Sequence, residues 1–178
     1  MKSAVLKSVA IAIAALTVSS ADARMGETIV QCDQRYGAPK RTSPDGFELL
    51  AGPGVTHRVY AHHGWNIRTA FIGGRAALLR YSKINGQTIQ NDEVQAILKA
   101  ESLGGTWDQK CQFSLNPIRQ LRNTMTMPRL WTNGIGAKAY FDNPMFLSFI
   151  IEAPVVEKYK KAKAEAAERQ RKSNIPDF

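Results

Sequence analysis

Cysteine is scarce in this chain: its 178 residues hold two, Cys32 and Cys111. Nothing like C-x-x-C occurs, which excludes a dithiol redox motif. The longest apolar run, Val9 to Val18, is about half of the roughly 20 residues that cross a bilayer as a helix. There is no G-x-S-x-G, no H-E-x-x-H and no glycine-rich phosphate loop; Gly73-Gly74 and Gly104-Gly105 are turn and cap signals. Acids are outnumbered by bases, 15 to 24, and sit mostly on helical stretches or beside Gly and Pro. No paired acid/base site can be nominated. The sequence therefore names no catalytic residue, no cofactor and no metal ligand set.

What is there begins with an export signal. Lys2 and Lys7 give a positive start, Val9 to Val18 the apolar stretch, and Ala21-Asp22-Ala23 a small-x-small cleavage site. Residues 1–23 are expected to be removed after Ala23, and the style of the signal places the chain in a bacterial periplasm or outside the cell. No cysteine follows the apolar run directly, so no lipid anchor is expected at the new terminus. The mature 155 residues keep 22 basic and 14 acidic side chains, net +8. That balance favours anionic neighbours: an envelope protein, an envelope polymer or lipid head groups in peripheral membrane contact. Nucleic acid is not expected, because no recognition helix or aromatic RNA-binding strand motif is present. In an oxidising compartment two cysteines most simply form one disulfide, Cys32–Cys111. Its 79-residue loop would contribute about 4 kcal/mol; the alternative is two buried free thiols.

Periodicity gives the architecture. Gly26 to Pro39 reads as a helix, with Thr28 as cap, Ile29, Cys32 and Tyr36 as its apolar stripe, and Gly37 as its end. Lys40 to Val55 is loop with one short apolar piece, Phe47 to Leu50, and Thr56 to His62 is a strand. From Trp65 to Lys83 the alternation of two strands is broken by Gly73-Gly74. A two-residue turn there would set Ile67 against Arg80, so a three-residue loop, Ile72 to Gly74, is expected. It would pair Trp65 with Tyr81, Ile67 with Leu79 and Thr69 with Ala77.

A second helix follows over Asn91 to Leu103, capped by Asn91 or Asp92 and facing inward through Val94, Ile97, Leu98 and the stem of Glu101. Trp107 to Pro128, with Pro117 and the cluster Arg119, Arg122 and Arg129, carries no clear period. Ala137, Ala139 and Phe141 then alternate toward a turn, and the expected pairs are Phe141–Leu147, Ala139–Phe149 and Ala137–Ile151. Val155 to Lys172 is a basic helix with a stripe of Val155, Tyr159, Ala162 and Ala166. The fold class is α+β: antiparallel sheet covered on one face by helices, as two α-β-β-β repeats over 24–86 and 87–154, with a basic C-terminal helix and tail over 155–178.

The run Gly26-x-Thr28-x-x-x-Cys32-x-x-x-Tyr36-Gly37-x-Pro39 resembles the opening of the BamE/SmpA-type outer-membrane assembly lipoproteins, which have a β-lactamase-inhibitor-like fold. The resemblance covers about 14 residues. It implies a small helix-plus-sheet module that binds other proteins of the envelope, and it brings no catalytic residues.

Candidate binding residues are Arg68, Arg80, Lys138 and Tyr140 on the sheet and Lys158, Lys160 and Lys161 on the last helix. Arg58, Arg68, Arg80 and Lys138 are expected to line one open sheet face, with Tyr140 the best exposed aromatic. Trp65, Trp107, Trp131 and Tyr81 are further groove candidates, with core packing the competing expectation. His57, His62 and His63 crowd one segment, where strand geometry would put His57 and His63 on one face and His62 on the other. The first functional expectation is a non-catalytic envelope binding module. A hydrolase or metal enzyme using His57–His63, and an anionic-surface binder using the basic helix, are the alternatives.

Overall fold

The structure is a computed structural model and describes residues 25–42, 50–102, 104–111, 129–142, 145 and 147–173. The expected signal segment, the Phe47–Leu50 piece apart from Leu50, and Arg119 and Arg122 lie outside the described residues. The elements are α1 (Ile29–Tyr36), β1 (Val55–His62), β2 (Trp65–Ile72), β3 (Arg75–Lys83), α2 (Asn91–Ala100), β4 (Trp107–Cys111), β5 (Arg129–Asn133), β6 (Lys138–Phe141), β7 (Ser148–Glu152) and α3 (Pro154–Ser173). The chain is α+β. Its strands form one seven-stranded antiparallel sheet in the order β1-β2-β3-β7-β6-β5-β4.

Local chemistry explains the starts and stops. Thr28 Oγ1 accepts from Gln31 N at 3.3 Å while Gln31 Oε1 accepts from Thr28 N at 2.9 Å, a reciprocal cap. Gly37 closes α1 at φ 85°, a backbone state that glycine reaches without strain. α2 starts at Asn91 as expected and ends at Ala100 rather than Leu103; its cap is Gln90, not Asn91 or Asp92, and Glu93 Oε2 accepts from Gln90 N at 2.7 Å.

Both hairpin registers depart from the expected ones by two residues. The Gly73-Gly74 turn is two residues long after all, pairing Ile72 with Arg75. The mismatch foreseen for that turn is removed by a bulge: Ala70 pairs Leu78 and Phe71 pairs Ala76, leaving Ala77 extra. Ile67 therefore meets Tyr81 and Thr69 meets Leu79. The carbonyl of the bulged Ala77 accepts from Ala153 N at 2.8 Å, which ties the end of β7 to it. In the second hairpin Phe141 pairs Phe149 and Ala139 pairs Ile151, rather than Leu147 and Phe149.

Helices cover both sheet faces, not one. On the first face α1 and α2 bury Cys32, Tyr36, Val94, Ile97 and Leu98 against Tyr60, Ile67, Phe71, Leu79, Tyr81, Trp131, Phe149 and Ile151. On the second, Val156 of α3 packs with Leu50, Ala70, Ala77, Leu78 and Ile150. The stripe of α3 is rotated by one residue from expectation: Val156 is fully buried and Val155 is 41% exposed. Among the described residues, 24–86 supply three strands and 87–154 four, and the two sets meet at β3 and β7.

Candidate functional site

The first face leaves one end of the sheet incompletely filled. There a cleft of about 310 Å³ is lined by His62, His63, Trp65, Ile67, Tyr81, Glu93, Ala96, Ile97 and Ala100. The β1–β2 connection supplies the two histidines: His63 at φ 47° and Gly64 at φ 84° make the tight turn that sets His62 directly across from Trp65. Alternation along β2 then puts Ile67 on the same face, opposite Tyr81. α2 presents residues 93, 96, 97 and 100, one helical face, and two of these are alanines. The small side chains at 96 and 100 leave the space open.

Four of the nine lining residues carry rings. Trp65 and Tyr81 stand edge to face at 6.4 Å, His62 and His63 at 4.1 Å, and His62 also meets Tyr36 at 5.5 Å. At the rim Lys83 Nζ lies 2.8 Å from Glu93 Oε1 and 5.8 Å from the centre of the Trp65 ring. The Glu93 carboxylate is thus engaged twice, by Lys83 and by the α2 cap. Such a lining holds a flat apolar group by packing and offers polar contacts only at its mouth.

Beneath the cleft lies Glu101, fully buried after the last turn of α2. It accepts from the Tyr81 hydroxyl and, at 2.8 Å, from Met25 N. It fixes Tyr81 while joining the start of the described chain to α2 and β3.

The residues singled out from the sequence scatter. Arg80 is engaged with Asp142 and Ser148; Arg68 faces it across the β2–β3 pair. Lys138 pairs Glu157 at 2.6 Å, and Lys160 pairs Glu152 at 2.7 Å. Tyr140 is half-buried, not the exposed aromatic expected: its hydroxyl donates to Glu152 at 2.8 Å. Burial, then that hydrogen bond, pushes its pKa above the usual tyrosine range. Arg58 does not share a face with Arg68 and Arg80, because it pairs with Thr69 on the α1–α2 side. Lys158 and Lys161 are exposed on α3.

Of the aromatics, Trp65 and Tyr81 line the cleft and Trp131 is core. The contribution of α2, through Glu93, Ala96 and Ala100, was not anticipated. Two alanines four residues apart, beside the inward-facing Ile97, were the signal available. His63 sits in the β1–β2 turn, edge to face with His62, rather than sharing a strand face with His57, and among the described residues no three His, Cys, Asp or Glu side chains converge as a metal would require.

Cys32 is a free, fully buried thiol on α1. α1 lies over β1 and β3: the Asp33 carboxylate accepts from Tyr60 and Thr28 bridges Arg75. Cys111 ends β4, the sheet edge four strands beyond β3. At about 4.8 Å per strand that is roughly 19 Å, against a Cα separation of at most about 7 Å across a disulfide. The expected Cys32–Cys111 link is not formed in this arrangement. Burial, then the charge of Glu27, pushes the Cys32 thiol from 9.0 up to about 12. Native Cys32 should resist alkylation at neutral pH and react without reductant once the chain is unfolded; a requirement for reductant would restore the disulfide. The raised thiol also predicts stability that is intact below pH 9 and declines as pH rises from 9 toward 12, since only the unfolded thiol ionises there.

No protein-family model matches the chain, and no curated protein matches it. Among solved structures it is similar to a cysteine-rich secretory protein from Staphylococcus aureus, with 10% identity and a TM-score of 0.39. The match covers 73% of this chain and 44% of that one, less than half of that protein's length. Among the described residues no helix is long and apolar enough to cross a membrane.

Proposed function

We propose that this chain is an exported, non-catalytic binding module of the bacterial cell envelope, and that the cleft between β2, β3 and α2 receives an aromatic or apolar side chain of a protein partner. The observation that carries the reading is the ring-lined opening at Trp65, Tyr81, His62 and His63. Interfaces draw their energy from a few aromatic or apolar anchors seated in such pockets, and a space of about 310 Å³ exceeds the roughly 150 Å³ that encloses a benzene ring. Proteolytic export and envelope residence come from the signal segment, and the resemblance of Gly26–Pro39 to the BamE/SmpA-type proteins favours a protein partner over a small molecule.

The test fills the cleft from its exposed side. Ala96→Trp adds an indole where α2 meets the opening and leaves the buried Val94, Ile97 and Leu98 in place. Crosslinking in envelope extracts of the producing cell should capture a partner with the parent chain and lose it with Ala96→Trp, while the circular dichroism of the two stays alike. Equal capture by both chains would remove the cleft from the interface.

A further inference from the structure

The side of α3 turned away from the sheet carries a row of positive charge that the sequence pattern alone did not orient. Four residues settle how the helix lies. Val156 is fully buried, Tyr159 donates to Pro53 O at 3.1 Å, Lys160 pairs Glu152, and Lys163 donates to Ala51 O. Gly52 permits that approach: a Cβ there would come within 2.3 Å of the Tyr159 hydroxyl. At 3.6 residues per turn these four fall on one arc of roughly 100°. The opposite arc holds Lys158, Lys161, Glu165, Arg169 and Lys172, all exposed. Four of the five are cations. They extend over about 21 Å of helix at 1.5 Å per residue. Lys172 makes one loose pair with Glu168, at 3.6 Å, and Arg171 takes the tighter one at 2.9 Å.

We propose that this outer face of α3 docks on an anionic lipid surface. It is a surface independent of the cleft. The row is straight, faces one way and lies on a helix whose first half, Val156 to Lys163, is fixed to the body, so its cations can meet a plane together. From Lys160 to Ser173 the only apolar side chains are alanines. A protein interface would be expected to offer aromatic or large aliphatic anchors, and insertion into a bilayer would need them too. Cations alone suit a diffuse, planar negative charge, where each Lys or Arg near the surface adds to binding.

Sedimentation of the mature chain with vesicles tests this. Binding should occur with vesicles of equal parts phosphatidylglycerol and phosphatidylcholine and not with phosphatidylcholine alone. It should fall more than about tenfold when salt is raised from about 0.1 M to about 1 M. The triple variant Lys158→Glu, Lys161→Glu, Arg169→Glu should weaken it by at least about tenfold. The same three positions changed to Gln should weaken it less, with helix content unchanged. A triple variant of equal charge change elsewhere, Lys40→Glu, Lys99→Glu, Lys110→Glu, should weaken it by less than about threefold. Equal losses in the two Glu triples would reduce the effect to net charge and overturn the proposal. So would salt-insensitive binding, binding to phosphatidylcholine alone, or no vesicle binding beside capture of an acidic protein. Because Ala96→Trp leaves the α3 row intact, vesicle binding that survives in that variant separates this surface from the cleft.

Discussion

Replacing Glu101 by alanine should cost about 3–5 kcal/mol of folding stability, from two buried donors left without an acceptor and the cavity that opens. The physical reason is that the carboxylate is not on the surface to be replaced by water. It is fully buried, and it satisfies two donors that have sunk with it, Met25 N and the Tyr81 hydroxyl. Alanine would leave both groups to bear the full desolvation cost, about 1–3 kcal/mol each, and would open a cavity as well. Glutamine keeps the volume and one acceptor oxygen, so it should cost less than alanine. Denaturant unfolding monitored by fluorescence measures both. For a domain of about this size each kcal/mol moves the melting midpoint by roughly 2–4 °C, so the alanine variant should melt roughly 6–20 °C below the parent. A change under about 1 kcal/mol would mean that the buried carboxylate is not the tie described. Exposed Glu165 serves as the control, with an expected change within about 0.5 kcal/mol.

Phe149→Ala should have a comparable effect through apolar packing alone. Phe149 is fully buried near the start of β7, with Phe141 at 5.1 Å and Trp131 at 5.4 Å, both edge to face. Deleting a buried phenyl ring costs about 3–5 kcal/mol from lost transfer energy and the void that remains. Trp131 would lose the nearer of its two ring partners and keep Phe141 at 6.3 Å, so the near-ultraviolet circular dichroism of the folded variant should weaken along with the stability. Leucine should recover part of the loss by refilling volume. Met145, 62% exposed, should tolerate alanine with little change. A Phe149→Ala chain as stable as the parent would show that this end of the sheet can collapse around the gap.

The sequence made most element identities legible, though not the edge strand β4 in the aperiodic stretch after Trp107, and left register hidden, for a definite reason. Side chains alternate with period two, so a hairpin that slips by two residues keeps every residue on its face. Ile67 lies on the buried face whether it meets Leu79 or Tyr81, and Ala139 likewise whether it meets Phe149 or Ile151. Apolar pattern cannot choose between these. The choice in the first hairpin is made by the bulge at Ala77, whose carbonyl is held by Ala153, a residue from the far end of the domain. The rotation of α3 has a similar origin: Val155 and Val156 are adjacent, the following positions are largely Lys and Ala, and only the pocket made by Leu50, Leu78 and Ile150 selects between them.

Of the candidate site, Trp65 and Tyr81 were visible as aromatics at alternating positions. The α2 wall was not, because a helix face with alanines reads as weakly apolar rather than as space. The basic residues chosen from composition separated for a third reason. Lys138, Lys160 and Arg80 are consumed by Glu157, Glu152 and Asp142, partners that only the folded chain brings near.

The sheet order has a consequence for how the chain reaches this state. β3 finds its second neighbour in β7, where Tyr81 pairs Phe149, almost seventy residues later. A chain emerging amino end first therefore completes β1, β2 and β3 while one long edge of β3 still has no strand beside it. Unpaired edges of this kind invite pairing with other chains, and closing a loop so long before the contact is rewarded slows folding. The central seam should be the last part of the sheet to zip, and truncated chains that stop short of Ser148 should aggregate rather than fold as a half.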